Sequence, residues 1–219
     1  MKIAGLWLTL ASVCFWLSWL LMPGVGVTDT DTIFALVGRN RAYVYASVVL
    51  QLASAAAYAP GVTGLLVATG ARVSRALRIG STLLCVGAMG SAADAIFHLV
   101  AFEMTAPGLN LDAMGVVMRR LQGPDLRLLL PFVAALFAGQ VALVLALRRR
   151  DLLTRAALWL LVGLPVLAVL GAVAVRLGLT TGRVIGLAVL GALSGSLALV
   201  GISLASNARL LALRATSPR

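Results

Sequence analysis

The sequence predicts an all-α membrane protein, a polytopic bundle of six transmembrane helices. Of the 219 residues, 61% are hydrophobic and only 11% are charged, and the mean hydropathy is +1.04. A water-soluble domain carries about 25% charged residues, so this composition excludes one. The apolar residues also fall into six continuous runs, each near the roughly 20 residues that a helix needs to cross a bilayer. Transmembrane strands would instead alternate apolar and polar residues over about ten positions.

The six predicted spans form a single membrane domain over residues 1–219. Their expected bounds are 3–22, 43–69, 76–105, 128–147, 156–175 and 184–205. The first span is too long for the apolar part of a signal peptide, and we interpret it as a retained signal anchor. Trp7 lies near one end of it, and Trp16 and Trp19 lie near the other. Tryptophan rings prefer the two membrane interfaces, which supports a membrane-crossing helix.

Two connections are long enough to hold short interfacial helices. In the first, Thr28 and Asp31 have the spacing of a capping box, which predicts a helix from there to about Gly38. The third connection has apolar residues at helical spacing beside basic ones, namely Leu111, Met114, Val117, Met118 and Leu121 with Arg119 and Arg120. This pattern is typical of a helix lying in the membrane interface. Both helices either pack simply at the surface or cap a site at the ends of spans two to four.

The sixth span carries small residues at a spacing that favours close helix packing. Glycines four residues apart let two helices approach closely within a membrane. Two such pairs occur, Gly182 with Gly186 and Gly191 with Gly195. The span is therefore expected to form a tight interface, either within the bundle or with a membrane protein partner or a second copy of the chain.

The basic residues between the spans indicate topology. Cytoplasmic connections carry an excess of Lys and Arg. If the N-terminus is inside, eleven basic residues face the cytoplasm and seven face outwards. The inner set is Lys2, Arg72, Arg75, Arg78, Arg148, Arg149, Arg150, Arg155, Arg209, Arg214 and Arg219, and the outer set is Arg39, Arg41, Arg119, Arg120, Arg127, Arg176 and Arg183. Both termini are therefore expected in the cytoplasm. The high Ala, Arg, Gly and Leu content with a single Lys favours a bacterial cytoplasmic membrane.

The third span contains the strongest candidate site. Asp94 and His98 lie one helical turn apart, and His98 is the only histidine of the chain. Ionisable groups within a bilayer are costly and are commonly functional. At this spacing the carboxylate can approach the imidazole, so the pair can hold or pass a proton. We expect it to bind a proton or a small polar solute.

Four further residues are candidate members of this site. Ser91 shares the helix face of the pair, and Gln51 and Gln140 are possible hydrogen-bond partners from the second and fourth spans. Glu103 is rotated by about 140° from His98, at 100° per residue, and we expect it to lie at the interface first and in the site second. The alternative for the whole group is a buried ion pair that fixes helix packing.

Several other chemistries lack their motifs. The sequence has one histidine, no H-x-x-H, no C-x-x-C-H and no P-loop, so we expect no metal, no haem or other cofactor and no nucleotide-driven motor. The net charge of +11 is scattered between the spans without a basic domain, which argues against nucleic acid binding. The lipid bilayer is the one certain partner.

Three functions remain open. The first is a small transport or solute-binding membrane subunit that uses Asp94 and His98. The second is an accessory or assembly subunit of a larger membrane complex. The third is a membrane-embedded enzyme with His98 as general base on a hydrophobic substrate. An enzyme is the least favoured of the three, because no nucleophile motif accompanies the histidine.

Overall fold

A computed structural model describes residues 1–27, 29–70, 73–122, 128–148 and 155–216, with side chains as far as Ser206. Within these residues the chain is mostly helical, with short turns between the helices, and forms no strand. The described helices are α1 Lys2–Leu21, α2 Thr30–Arg39, α3 Arg41–Thr69, α4 Arg75–Met104, α5 Leu111–Leu121, α6 Leu130–Arg148, α7 Arg155–Arg176 and α8 Gly182–Thr216.

Six of these helices, α1, α3, α4, α6, α7 and α8, are long and apolar enough to cross a membrane. In α8 the apolar span is Gly182–Ser206. These six helices indicate a multi-pass membrane protein and confirm the six predicted apolar runs. Every predicted boundary lies within two residues of the observed one, because hydropathy alone separates the spans from their connections.

The six long helices pack in an order that differs from their order along the chain. Helix α1 packs against both α3 and α8, α3 continues to α4, and α4 continues to α6, while α7 packs along α8. Helix α6 meets α7 and α8 over only a narrow contact. Apolar side chains from all six helices form the shared interior, including Leu8, Leu65, Leu84, Leu143, Leu161 and Leu197.

Close contacts between helices are made at glycines. A methyl group on Gly5 would overlap the backbone carbonyl of Gly201, so α1 and α8 touch backbone to backbone there. On the other side of the bundle, a methyl group on Gly80 would lie 2.7 Å from the backbone nitrogen of Leu143, and one on Gly139 would lie 2.5 Å from that of Leu84. Small residues therefore fix the α1–α8 and α4–α6 pairs.

The predicted small-residue face of the sixth span packs within the chain. Gly182 approaches Gly26, Gly186 approaches Val25, and Gly191 lies against the Trp16 indole of α1. Gly195 faces Leu160 of α7. The four predicted packing glycines thus contact α1, the segment after it and α7.

Serine hydroxyls join α1 to α3. Ser47 donates to the carbonyl oxygen of Ser18, and Ser54 donates to that of Ala11, each across 2.7 Å. Both serines are buried. Interhelical hydrogen bonds of this kind are worth about 0.6 to 2 kcal/mol in membranes, so they add to the apolar packing of this pair.

Helices α2 and α5 lie together at one end of the bundle, and we call this pair the cap. Arg119 of α5 contacts Asp31 of α2 at 2.5 Å, and the Thr30 hydroxyl donates to Gln122 Oε1 across 2.6 Å. Beneath these polar contacts, an apolar cluster joins the cap to α4 through Phe34, Ala101, Met104 and Met118. Both short helices were predicted from the sequence.

The start of α2 differs from the prediction. Its N-cap is Asp29, whose carboxylate accepts hydrogen bonds from the Thr32 backbone N–H and hydroxyl, and Thr28 lies outside the described residues. The predicted capping box of Thr28 with Asp31 is therefore wrong. A carboxylate accepts both bonds at once, which makes Asp29 the better cap, and Asp31 contacts Arg119 instead.

Candidate functional site

Helix α4 places Asp94 and His98 on one face, in the half of the bundle that adjoins the cap. His98 Nδ1 lies 3.7 Å from Asp94 Oδ2, and the two side chains are 18% and 21% exposed. This separation is within ion-pair range but is longer than a hydrogen bond. Their charges therefore interact whenever His98 is protonated, while the imidazole nitrogen keeps room for another partner.

Gln51 supplies the hydrogen bond that Asp94 receives from a neighbouring helix. Its side-chain nitrogen donates to Asp94 Oδ2 across 2.7 Å, and Gln51 itself is buried in α3. The second predicted amide partner lies elsewhere. Gln140 of α6 donates to the Leu193 carbonyl and to Ser196 Oγ, so it joins α6 to α8 and not to the pair.

Two aromatic rings, those of Trp19 and Phe97, contact the imidazole of His98. The His98 ring meets Trp19 edge to face, with centroids 5.8 Å apart at 86°, and it meets Phe97 at 6.0 Å. His98 Nδ1 and Trp19 Nε1 are both buried, and neither has a hydrogen-bond partner among the described residues. Both atoms thus have hydrogen-bonding capacity that the described side chains leave unused.

Trp19 is a site residue that the sequence interpretation missed. The sequence suggested only that it lies near the end of a span, and the contact of its partly buried ring with His98 was not predicted. A signal was available, because Phe15 and Trp19 are four residues apart and lie on the buried face of α1, with ring centroids 6.3 Å apart. Helical periodicity places Trp19 on the same side of α1 as Phe15. Its position near the end of the span suggested only that it lies close to a membrane interface.

Two cavities meet at Asp94. The inner cavity lies between α1, α3, α4, α6 and α8 and opens at the surface beside Leu130 and Val133. It has a volume of about 250 Å³ and is lined by residues that include Phe15, Gln51, Gly87, Ser91, Leu136 and Phe137. The outer cavity lies beneath the cap, also has a volume of about 250 Å³, and is lined by residues that include Val37, Val44, Phe97, His98, Met118 and Gln122. Asp94 and Trp19 line both cavities, whereas His98 lines only the outer one.

The remaining predicted residues divide between site and surface. Ser91 lines the inner cavity, and its buried hydroxyl has no partner among the described residues. Glu103 is exposed near the end of α4 and lines neither cavity. The structure therefore brings together Asp94, His98, Gln51 and Ser91, and it leaves Gln140 and Glu103 apart from them.

Asp94 and His98 are the only ionisable side chains among the described residues that line the two cavities. Arg41 of α3 approaches α4 as well, but it donates to the Phe102 carbonyl and to Thr105 Oγ1 and stacks on the Phe102 ring. The charge of Asp94 must therefore be balanced by His98, by a proton or by a bound cation. An ionised carboxylate without such balance is costly in a low-dielectric interior.

Two further depressions lie outside this site. One, of about 790 Å³, lies on the cap and is lined by residues that include Asp31, Arg39, Asp112 and Arg119. The other, of about 450 Å³, lies between α1 and α8 and is lined by residues that include Trp16 and Ser194. Neither contains Asp94 or His98. No group of three or more metal-ligating side chains occurs in the described part of the chain.

Comparisons with protein family models, with curated proteins and with solved structures give no match. The features from which we infer function are accordingly those of the molecule itself. They are the Asp94–His98 pair, its hydrogen bond from Gln51, and the two cavities that adjoin it.

Proposed function

We propose that the protein is a small membrane transport protein that binds a proton or a small polar solute at Asp94 and His98. The observation that carries this proposal is the position of Asp94, which lines both the outer and the inner cavity. A carboxylate used only to hold helices together would need no cavity on either side. Both cavities lie in the half of the bundle that adjoins the cap, and together they leave room for a proton or a small solute on two sides of one carboxylate.

A subunit of a larger membrane complex is the second candidate, and α7 supports it. Only 17% of the span in α7 is buried, against 33% to 44% in the other five described spans, and α7 packs along α8. The exposed apolar surface of α7 to which a partner protein could bind includes Trp159, Val166 and Val169. The glycines of α8 already contact other parts of the same chain. We therefore propose that a partner binds to α7 and not to the sixth span, α8. Native mass spectrometry of the purified protein distinguishes a partner or second copy from lipid alone.

The enzyme alternative has less support. A general base must lie within hydrogen-bond reach of the group that it deprotonates. Among the described residues, no hydroxyl or thiol bonds to His98 Nδ1.

We further propose a bacterial cytoplasmic membrane, with both termini in the cytoplasm and the cap outside. The argument is the excess of basic residues in the connections opposite the cap. The comparison of inner and outer basic residues includes five that lie outside the described part of the chain, at positions 72, 127, 149, 150 and 219.

Infrared difference spectroscopy across about pH 5 to 8, where histidine side chains commonly change charge, tests the proposed function. We expect the wild type in lipid to show coupled carboxyl and imidazole changes that are lost in Asp94→Asn and His98→Gln. Glu103→Gln is the matched control, because this exposed carboxyl group lies on the same helix but outside both cavities, and it should retain the signal. A wild type without any such protonation change would show that the pair is structural.

A further inference from the structure

The inner cavity combines aromatic rings with one carboxylate. Phe15, Trp19 and Phe137 lie among its lining residues, and Asp94 is the only ionisable side chain among those described there. Most of the remaining lining is apolar, including Leu130, Val133, Leu136 and Leu190. The cavity therefore offers a largely apolar lining with one carboxylate in its wall, and it opens at the surface beside Leu130 and Val133 of α6.

These features select one class of ligand. Aromatic faces attract cations electrostatically, most strongly when water is excluded. The carboxylate attracts positive charge as well, and it would repel an anion in the same low-dielectric space. A neutral polar solute could hydrogen-bond to Ser91, Trp19 or Asp94, but it would gain nothing from the ring faces or from the charge of the carboxylate.

We propose that the inner cavity binds a small amphipathic organic cation, an ammonium group that carries an apolar body, and that its binding releases one proton from the Asp94–His98 pair. This inference rests on the proposed function of the pair as a proton site. It goes further because it names the chemical class of the solute and states that the positive charge of the solute replaces that of a proton.

The exchange follows from charge balance. With His98 protonated, the pair is neutral overall, and no other ionisable side chain lines either cavity in the described chain. A cation beside Asp94 would raise the local charge to +1, which a low-dielectric site disfavours. His98 therefore gives its proton to water in the outer cavity, which it lines, while the cation stays in the inner cavity, which His98 does not line. The site is neutral before and after the exchange.

Calorimetry with benzyltrimethylammonium tests this inference on the purified full chain in detergent. Titrations in two buffers with different heats of ionisation count the protons released. We expect one proton per bound cation in the wild type. Neopentylbenzene, in which carbon replaces the charged nitrogen, should bind at least about tenfold more weakly, because it keeps the shape and loses the attraction to the rings and the carboxylate.

Variants separate the two parts of the inference. Asp94→Asn should bind the cation at least about tenfold more weakly, because it keeps the shape of the side chain and removes the charge. His98→Gln should still bind the cation and release a proton, because without His98 the charge of Asp94 is balanced by a proton that the cation displaces. Ser91→Val should fill part of the inner cavity and weaken binding of the cation. Ser81→Val is its control, since Ser81 is equally buried on α4 but lines neither cavity.

Four results would overturn the inference. Equal binding of neopentylbenzene, or undiminished binding of the cation to Asp94→Asn, would show that the cavity does not recognise charge. Binding to the wild type without proton release would overturn the exchange. A wild type that shows the infrared titration but does not bind the cation would refute this inference alone, whereas loss of the titration itself would refute the proposed function.

Discussion

The Gln51 side-chain nitrogen donates to Asp94 Oδ2 across 2.7 Å, which ties α3 to α4 beside the inner cavity. Gln51→Met removes this donor at nearly the same volume. A buried acceptor that loses its partner costs about 1 to 3 kcal/mol, so we expect a lower unfolding midpoint in detergent. The infrared titration of the Asp94–His98 pair should also move away from the wild-type pH range.

Gln140→Met is the matched control for that variant. It removes the bonds from α6 to Leu193 and Ser196 of α8, so it should destabilise the protein to a similar extent. The titration of the pair should stay as in the wild type. An altered titration in Gln140→Met with an unaltered one in Gln51→Met would contradict the geometry of the site.

Gly5→Ala should destabilise the bundle, because the added methyl group would overlap the Gly201 carbonyl. Overpacking of this kind costs about 1 to 3 kcal/mol. Gly163→Ala in α7 is the control, since nothing lies within 4 Å of its added methyl group. Alanine is the better helix former by up to about 1 kcal/mol, so the control should be neutral or stabilising. Unfolding midpoints of the two variants in one detergent decide the comparison.

The cap should depend more on Met118 than on the Arg119–Asp31 ion pair. Met118 is 1% exposed, so Met118→Ala should cost about 2 kcal/mol or more. The ion pair is at the surface, with side chains 50% and 70% exposed, and Arg119→Ala should cost less than about 1 kcal/mol. Hydrogen exchange of the α5 amides measures both effects. Faster exchange in Arg119→Ala than in Met118→Ala would reverse this ranking.

The start of α2 should weaken in acid. Hydrogen bonds from the Thr32 hydroxyl and backbone N–H lower the pKa of Asp29. Because the folded-state pKa is below the unfolded one, the stabilisation is present at pH values above the unfolded pKa and is lost as the pH falls through the folded pKa. Amide exchange near Thr32, corrected for its intrinsic pH dependence, should show this loss. Asp29→Asn keeps a capping oxygen without the titrating charge and should remove the pH dependence, while Asp29→Ala should remove the cap itself.

The orientation can be tested with single cysteines at opposite ends of the bundle. Asp112 in the cap and Ser206 near the end of the span in α8 are both exposed. With Cys14 and Cys85 replaced by serine, we expect Asp112→Cys to react with a membrane-impermeant maleimide on intact bacterial cells. Ser206→Cys should react only after lysis. The opposite pattern would place the cap and both termini on the reverse sides.

Hydropathy was sufficient to predict the six long helices, because a span is defined by the solvent around it and not by its neighbours. The bounds of Arg75–Met104, for example, follow from the apolar run alone. The two cap helices were also predictable, since amphipathic spacing shows in residues such as Leu111 and Met118. The cap residue Asp29 was missed, because the alternatives at that helix start are only one residue apart.

Contacts between helices could not be predicted in the same way, because they depend on how each helix is rotated and which helix lies beside it. Gln51 and Gln140 were equivalent candidates in the sequence, yet only Gln51 reaches Asp94. The contact of the Trp19 ring with His98 was likewise not predicted, because the position of Trp19 near the end of a span gives its depth and not its neighbour. Nothing in the sequence distinguished Gly80 and Gly139 as facing partners from the other glycines of the spans.

The contact of Gly5 with Gly201 bears on the order of biosynthesis. A ribosome makes 195 residues between these two glycines, so α1 enters the membrane long before α8 exists. Until α8 is inserted, the side of α1 that carries Gly5 faces only lipid, whereas α3 can already pack on the other side of α1. Contacts between residues so distant along the chain form late in folding. The insertion of α8 is therefore the step that completes the bundle, and a chain interrupted before it would leave α1 half covered.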